Sequence, residues 1–576
     1  MDNQKVGNWF FRMFLESWRP YFWIALAILA VYVPTLFYGI VYLDDNVLVI
    51  RDYAFNQNLG NIFQAFCEDI FRSPAGAGSF YRPIERLTFM WDAQFGQGAI
   101  VFMSHFSNLL LHIFAICLLY KLLLKFGLGR PFSFILSLIF AVHPLTAQTV
   151  SFISGRNDSL LAIFIFPSLL FFLEYLKNPR RRYYFGHLAF FLLALFTKET
   201  AVILPVICVA YLVIFKGLRD LFVNVRQYGI LLAGWTSGLL FWFIMRHLVL
   251  GNFIGNANYH IGLSIFQNLP ALVPALGKVI LPFNLSVFPI LQDMTSLYGF
   301  LSLVILAGWF VSAKKKNYRW IIFGAAWFFL FIVLTLIKPA GTVADFSENR
   351  IYLPMFGFIF IFWGLGSLKF LDFEKHKKKY LALGAILILI FSSVTIYRNR
   401  YYKDQLSFWK NAVATAPDYA FNYNNLGAMY FMAGNMDMAE TNFKKALTLN
   451  PKEPMVHNNL GLIDASRHQD VAAKDEYQAE IAVNPSYDAV YFNLGLLYYN
   501  QGKLDVAAEN WRKTLNINSG YADALYDLAQ LDLNKKNYAE AAACASRLAA
   551  SGAPLPPDLS ALLDPLTLIQ LESGSR

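Results

Sequence analysis

Long apolar runs fill most of residues 21–397, and they limit the possible folds more than any other feature of this sequence. About eleven of them approach the length of one bilayer crossing, which takes about 20 apolar residues in a helix. They cover residues 21–40, 101–124, 131–150, 158–176, 185–197, 200–215, 227–249, 297–313, 320–337, 350–368 and 380–397. The chain is 57% hydrophobic and only 15% charged, which is atypical of a soluble protein. The sequence therefore predicts an all-α, polytopic membrane domain of about eleven transmembrane helices.

Clusters of Lys and Arg separate the apolar runs and predict orientation, because cytoplasmic loops carry an excess of these residues. With the N-terminus in the cytoplasm, every basic cluster falls on the cytoplasmic side. The clusters lie within residues 121–130, 177–182, 216–226, 314–319 and 369–379. Because the net charge of +10 is distributed over these short clusters, it does not indicate a nucleic-acid partner. The opposite, extracytoplasmic side then receives residues 41–100, 143–158, 198–199, 250–296 and 338–350.

Two apolar or mixed segments are not interpreted as ordinary spans. Residues 1–20 mix Trp, Phe, Lys and Arg, as an interfacial helix does, so we expect them to lie on the membrane. Residues 269–285 are interrupted by Pro270, Pro274 and Pro282, so we expect them to be re-entrant or to lie on the surface. The first apolar run is too long for a signal-peptide core and is retained as a span.

The composition changes at residue 398, where a 34-residue period begins. The period is marked by Leu426-Gly427, Leu460-Gly461, Leu494-Gly495 and Leu528-Ala529, by Pro417, Pro451 and Pro485, and by Phe443, Tyr477 and Trp511. This is the tetratricopeptide pattern, in which small residues let two helices approach and an aromatic ring fills the gap. We assign residues 398–556 to a tetratricopeptide repeat α-solenoid that begins with a half repeat at 402–416. Residues 557–576 form a C-terminal tail.

Asparagines recur on the first helices of the repeats. The concave face of such a solenoid binds extended peptides, and Asn side chains can hold a peptide backbone. The candidates for peptide binding are Asn424, Asn425, Asn458, Asn459 and Asn493. The alternative is that these residues are ordinary solvated helix surface.

Polar residues gather where the apolar runs end on the extracytoplasmic side. Asp44 and Asp45 follow the first run directly and open the first outer loop, residues 41–100. Charges this close to lipid are costly, so they commonly face a cavity and serve a function. The alternative is that the pair merely ends a helix in water. Further polar groups occur at 81–82, 143, 154–158, 197–200 and 348–350, and together they predict one polar chamber.

A carboxylate pair beside several cations near lipid suits a substrate that carries a phosphate and a lipid tail. A carboxylate can take the proton of an attacking hydroxyl group. Arg offers forked contacts to phosphate oxygens, and cations balance the charge that develops on a phosphate leaving group. These features indicate glycosyl transfer from a polyprenyl phosphate sugar. A single displacement inverts the sugar carbon and needs one base.

The order of these motifs resembles that of the TMTC family. The resemblance rests on Leu43–Asn46, Tyr81–Ile84, His143–Val150, Ser154–Asp158, Lys198–Thr200 and Glu348–Pro354, followed by the repeats. It implies a membrane O-mannosyltransferase of the GT-C fold with lumenal repeats, a dolichyl phosphate mannose donor and a folded-protein acceptor such as a cadherin. It also implies that the first-loop acidic pair is catalytic. This chain has fewer repeats than the animal members, so the acceptor and the carrier, dolichyl or undecaprenyl, stay open.

The predicted roles follow from the motifs and the resemblance together. Asp44 or Asp45 is the general base, and the other orients the acceptor or the sugar, because adjacent carboxylates disfavour each other's ionisation. Arg156, Arg350 and Lys198 are the candidates for the donor phosphate. Asp158, Glu199, Arg82, His143 and Glu348 are the candidates for positioning the sugar or the acceptor. For each of these residues the alternative is a structural ion pair.

No cofactor and no metal site are predicted, since the four cysteines lack ligand spacing and His105 and His112 fit helix packing equally well. Two other functions remain open. The chain could be a non-enzymatic, membrane-anchored repeat scaffold, or a transporter or glycan-modifying enzyme that handles a lipid-linked sugar.

Overall fold

The computed structural model describes residues 11–72, 80–251, 260–339, 343–366, 373–550 and 555–564. These residues form an all-α fold with the elements of a membrane GT-C domain and a tetratricopeptide solenoid. The chain divides into two compact units, Met1–Pro417 and Asp418–Arg576. Residues 1–10 of the predicted interfacial segment and 565–576 of the predicted tail lie outside the described residues.

Among the described residues, eight helices are long and apolar enough to cross a membrane. They are Arg19–Phe37, Ile100–Phe126, Ile153–Lys177, Glu199–Lys216, Val225–Leu250, Ile261–Ile280, Tyr318–Leu336 and Lys379–Tyr402. Seven of them correspond to predicted spans. The other, Ile261–Ile280, contains the segment that was expected to be re-entrant, and a short 3-10 turn at Leu269–Ala271 breaks it into two helices.

The remaining four predicted spans are helical but shorter. They form Arg130–Ala141, Arg181–Leu195, Leu297–Ser312 and Tyr352–Leu365, which contain 12, 15, 16 and 14 residues. The predicted 131–150 run bends after Ala141 and continues as the short helix Thr146–Ser151. Every predicted apolar run is therefore helical among the described residues, although several of these helices are shorter than the runs.

Close helix packing in the first unit depends on glycine. Gly324 on helix Tyr318–Val333 lies against Gly357 on helix Tyr352–Leu365, and a Cβ on either would collide with the other helix's backbone. Around this contact, Trp327 packs edge-on against Phe356 with ring centroids 4.9 Å apart. Such close approach lets large aromatic side chains fill the surrounding space without voids.

A buried turn joins the helices that carry several of the predicted site residues. Every residue from Ala141 to Ala162 is buried. The Asn108 side chain adds partners for the backbone of this segment by donating to the carbonyls of Val150, Phe152 and Ile153 at 3.0–3.2 Å. Buried backbone groups need such partners, so Asn108 holds the turn in place.

The predicted half repeat lies in the first unit. Helix Gln405–Thr415 is capped by Asp404, whose side chain accepts from the Ser407 backbone N–H. Trp409 and Ala412 of this helix are buried, and the Thr415 hydroxyl lies 2.6 Å from that of Ser286.

The second unit contains four helix pairs, as the 34-residue period predicts. They are Ala420–Met432 with Met436–Leu449, Val456–Ser466 with Asp470–Val483, Asp488–Asn500 with Leu504–Ile517, and Ala522–Asn534 with Tyr538–Ala550. A Cβ at Gly427 would meet the Phe443 ring at 2.6 Å, and one at Gly495 would meet the Trp511 ring at 2.5 Å. The predicted pairing of a small residue with an aromatic ring is therefore confirmed.

Candidate functional site

Asp44 and Asp45 are adjacent in sequence but occupy different environments. Asp45 is buried and accepts hydrogen bonds from the Ser154 backbone N–H at 3.0 Å and the Ser154 hydroxyl at 2.6 Å. The Val41 backbone N–H also donates to it at 3.4 Å. Burial raises the pKa of Asp45 to about 7, although the Ser154 hydrogen bonds act in the opposite direction. Asp45 therefore fixes the first outer loop to the buried turn.

Asp44 is only partly buried, and its side chain makes no hydrogen bond or ion pair with any described residue. Burial raises its pKa, while the charges of Arg82 and Arg350 lower it and that of Asp345 raises it further. A raised pKa makes a carboxylate a stronger base. Of the acidic pair, Asp44 has the side chain that is available to a substrate.

Arg82 faces this carboxylate from the start of helix Pro83–Phe95. Its guanidinium contacts Glu199 through Nε at 3.2 Å and Nη2 at 3.0 Å, and Glu85 through Nη1 at 3.5 Å. Burial raises the pKa of Glu85 to about 7, against the charges of Arg82 and Lys198. One cation is shared by two carboxylates here, so this part of the site is rich in acceptor oxygens.

Lys198, just after helix Arg181–Leu195, forms a second group with Asp158, in which the two charges balance. Its ammonium donates to Asp158 at 2.6 Å and to the Asn157 side-chain oxygen at 2.8 Å. Burial lowers the pKa of Lys198. The other oxygen of Asp158 accepts from the Asn349 side chain at 2.9 Å, which links this pair to the segment that carries Arg350.

Arg350 belongs to a third group, which sequence reasoning only partly identified. Its Nη2 lies 3.2 Å from Asp345 Oδ2, and Lys338 Nζ lies 3.2 Å from Asp345 Oδ1. Burial and the charge of Arg350 lower the pKa of Lys338 to about 8, against the opposing effect of Asp345. Although burial alone would raise it, the charges of Arg350 and Lys338 lower the pKa of Asp345 to about 2. Asp345 and Lys338 belong to no motif, and only their position in segment 338–350, which was predicted to be extracytoplasmic, could have drawn attention to them.

The charges of these groups act on one another, so we treat them as one charged cluster. It consists of Asp44, Arg82, Glu85, Asp158, Lys198, Glu199, Lys338, Asp345 and Arg350. Carboxylates exceed cations near Arg82, whereas two cations share the single carboxylate of Asp345. The cluster is therefore polarised, with an acidic end and a cationic end.

Three predicted site residues do not join this cluster. Arg156 is fully buried, and its guanidinium contacts Asp92 at 2.6 Å, Thr88 at 3.2 Å and the Ser104 carbonyl at 2.9 Å. It holds helix Arg156–Lys177 to helix Pro83–Phe95, so the predicted phosphate contact is not supported. Arg156 points into the protein because the motif Ser154–Asp158 lies in the buried segment Ala141–Ala162.

The other two residues, His143 and Glu348, are also buried. His143 contacts the Val279 carbonyl through Nε2 at 3.0 Å, and its Nδ1 accepts from the Leu145 backbone N–H. Glu348 is fully buried and pairs with Lys278 at 2.7 Å and with Arg398. Their predicted contacts with sugar or acceptor are therefore not supported, and both residues pack the protein interior.

The repeat asparagines mostly bond to one another. Asn459 donates to Asn424 at 2.9 Å, and Asn493 donates to Asn458 at 2.8 Å, which forms a ladder between successive repeats. Asn425 donates to the Phe421 carbonyl of its own helix. Asn424 and Asn458 are buried, so only Asn425, Asn459 and Asn493 keep surface that a peptide could reach.

Comparisons with known proteins agree with the predicted resemblance. Residues 97–243 match the family described as "Dolichyl-phosphate-mannose-protein mannosyltransferase", and residues 420–453 match "Tetratricopeptide repeat". "Protein O-mannosyl-transferase F38B6.6" of Caenorhabditis elegans is 24% identical over 414 residues, covering 68% of this chain and 57% of the relative. "Protein O-mannosyl-transferase Tmtc3" of Drosophila melanogaster is 26% identical over 517 residues, covering 74% and 54%.

Among solved structures, the chain is similar to "Crystal structure of MamA" at 25% identity and a TM-score of 0.23, over 26% of this chain and 86% of that one. The predicted resemblance to TMTC-type O-mannosyltransferases is thus confirmed by the family matches and the curated relatives. The chain spans only a little more than half the length of those relatives, at 57% and 54%.

Proposed function

We propose that this protein is an inverting glycosyltransferase that moves a sugar, in the simplest case mannose, from a polyprenyl phosphate to Ser or Thr hydroxyls of proteins. The observation that carries the proposal is the carboxylate of Asp44, which has no hydrogen-bond or ion-pair partner among the described residues and belongs to a cluster with a cationic end. The family match to mannosyltransferases and the names of the curated relatives support the same chemistry.

In the proposed reaction, Asp44 takes the proton of the acceptor hydroxyl, and the oxygen of that hydroxyl attacks C1 of the sugar. The bond from C1 to the phosphate oxygen breaks, and its electron pair stays on the phosphate. The donor phosphodiester has one negative charge, and the released polyprenyl phosphate gains a second. Arg350 lies at the cationic end of the cluster, where it can stabilise this added charge.

The acidic end of the cluster suits the sugar and acceptor. Glu199 and Asp158 present oxygens that can accept from sugar hydroxyls, while Arg82 and Lys198 hold these carboxylates in place. Asp45 acts through the loop, since its hydrogen bonds to Ser154 set the position of Asp44. We therefore assign the base to Asp44 and a positioning role to Asp45.

The protein acceptor is proposed from the repeats, because tetratricopeptide solenoids bind peptides on their concave face. The half-exposed amides of Asn425, Asn459 and Asn493 are the side chains offered for that contact. We place the reaction on the extracytoplasmic side, as the positions of the basic clusters indicate. A non-enzymatic scaffold would leave Asp44 and the polarised cluster without a role.

Asp44→Asn tests the base assignment. We expect kcat for sugar transfer to fall about 10³-fold, because general-base catalysis contributes about 10² to 10⁴. The assay uses purified full-length protein, dolichyl or undecaprenyl phosphate mannose, and candidate acceptor peptides, with product detected by mass spectrometry. Asp45→Asn retains an oxygen that can accept both Ser154 bonds, so a smaller loss is expected.

The control is Glu68→Gln, an acid of the same loop whose partner is Arg72. This variant is expected to keep full activity. If Asp44→Asn also retains full activity while the wild type transfers sugar, Asp44 is not the base. If the wild type transfers no sugar from any polyprenyl phosphate donor, the proposed function is wrong.

A further inference from the structure

Lys338 and Arg350 form a pair of cations that share a single carboxylate, that of Asp345. We propose that this pair binds the phosphate of a polyprenyl phosphate, and that apolar side chains beside Arg350 contact the first isoprene unit of the lipid. The identification of the lipid as the sugar donor rests on the proposed function. Lys338 then contacts the substrate directly and has the same task as Arg350.

Both side chains have donors to spare. The Lys338 ammonium contacts the Asp345 carbonyl and Oδ1, which uses two of its three N–H donors. Arg350 contacts the Asp345 carbonyl through Nη1 at 3.4 Å and Oδ2 through Nη2. A guanidinium has five N–H donors, so most of those of Arg350 are unused by the described residues.

Asp345 holds the two cations together from opposite sides. Its Oδ1 faces Lys338 and its Oδ2 faces Arg350, while the Ser347 hydroxyl donates to Oδ2 at 3.1 Å. One negative charge between two positive charges leaves an excess of one. The other two groups of the cluster have no such excess, because Arg82 faces two carboxylates and Lys198 faces one.

The surroundings of the pair are apolar on one side. The Lys338 ammonium lies 4.9 Å from the centroid of the Phe346 ring. Phe346 and Arg350 line the same cavity, together with Met294, Ile332, Leu336 and Ala271. A phosphate held by the two cations would therefore lie next to apolar side chains that a prenyl chain can contact.

The pair also predicts a pH dependence. The charged groups that act on Lys338 are Asp345 and Arg350, and Lys278, which lines the same cavity, is paired with Glu348. Burial and Arg350 lower the pKa of Lys338 to about 8, so this lysine is charged below that pH and neutral above it. Phosphate affinity is then highest below pH 8 and falls as the pH rises through it.

Direct binding of undecaprenyl phosphate to the full-length protein in detergent tests the proposal without requiring sugar transfer. For the wild type we expect the Kd to rise about tenfold between pH 7.5 and pH 9.5, since a charge-assisted hydrogen bond contributes about 1.5–3 kcal/mol. The phosphate has its second pKa near about 6, so its own charge is constant over this range. Lys338→Arg keeps the charge and abolishes the rise.

Lys338→Met should show a Kd that is already about tenfold higher at pH 7.5 and changes little up to pH 9.5. The matched control is Lys125→Met, which removes another lysine–carboxylate pair, with Glu174. Glu174 lies 16 residues from Asp158 on helix Arg156–Lys177, or about 24 Å along its axis. This control should bind as the wild type does.

Two ligand controls identify what is recognised. Undecaprenol lacks the phosphate and should bind at least tenfold more weakly, and inorganic phosphate at millimolar concentration should not displace the lipid. The inference is overturned if undecaprenol binds equally well, if inorganic phosphate displaces the lipid, or if Lys338→Met keeps wild-type affinity and pH dependence. The expected binding pattern in a protein without transferase activity would remove the proposed function and leave this lipid phosphate site standing.

Discussion

Two clusters, each of one carboxylate, one lysine and one arginine, are built on acids three residues apart in sequence, and only one of these clusters is partly exposed. Glu348 pairs with one lysine and one arginine, Lys278 and Arg398, and all three are buried. Asp345 also pairs with one lysine and one arginine, Lys338 and Arg350; Lys338 is buried, but Asp345 is 25% exposed and Arg350 is 34% exposed. The sealed cluster fixes the end of the last membrane helix, whereas the open one can still accept a ligand.

The difference shows that charge and sequence neighbourhood do not separate binding residues from structural ones. A buried ion pair needs its partner, because an uncompensated charge in the interior is far more costly than a charge near water. A partly exposed cation can exchange its solvent contacts for a phosphate. The same kind of substitution should therefore mainly lower stability in the sealed cluster and mainly lower ligand affinity in the open one.

Glu348→Ala should have the largest effect on stability. It leaves Lys278 and Arg398 buried without a counter-charge, and removing one partner of a buried pair costs about 3–5 kcal/mol. Two nitrogens of Arg398, Nε and Nη1, already lack hydrogen-bond partners among the described residues. The free energy of unfolding in detergent measures the loss, and Asp345→Ala serves as the comparison. Equal losses in the two variants would contradict the distinction between sealed and open clusters.

Replacing an arginine by lysine should separate the two environments at an intermediate scale. Arg156→Lys loses the forked contacts with Asp92, Thr88 and the Ser104 carbonyl, which should cost about 2 kcal/mol of stability with unchanged lipid affinity. Arg350→Lys should change stability by less than about 0.5 kcal/mol and weaken undecaprenyl phosphate binding. Thermal unfolding and lipid binding on both variants provide the check, and the reverse pattern would return Arg156 to the phosphate site.

Asp345→Asn should cost much less stability than Glu348→Ala, about 1 kcal/mol or less, because Asp345 and Arg350 are partly exposed. It removes the charge that keeps the pKa of Lys338 from falling further. Lys338 should therefore lose its proton at a lower pH, and the pH above which lipid phosphate affinity falls should move below about 8. A titration of binding against pH measures this shift. An unchanged or higher transition pH would show that Asp345 does not act on Lys338.

The fold was largely predictable because hydrophobic runs and repeat periods are local properties of the sequence. All eleven apolar runs are helical, and Gly427 and Gly495 meet the predicted aromatic rings. Helix lengths were less predictable. The predicted span 131–150 ends at Ala141, because the buried turn that follows is held by Asn108 from another helix.

The site was only partly predictable, because the direction of a polar side chain depends on contacts that are distant in sequence. The charges of Arg82 and Arg350 act on Asp44, while the catalytic roles of these residues stay predictions. Arg156 and His143 come from equally polar motifs, but the turn that carries them is buried throughout. Lys338 has no motif around it, and its pairing with Asp345 is visible only in three dimensions.

The short turn Glu348–Ile351, which carries Arg350, affects the entropy change of ligand binding. Gln148 accepts from the backbone N–H groups of Glu348 and Asn349, so the protein's own contacts hold the backbone of the turn. The entropy of arranging this backbone is lost during folding rather than during binding. The backbone that carries Arg350 is therefore already ordered, and binding of a phosphate there requires only the ordering of side chains.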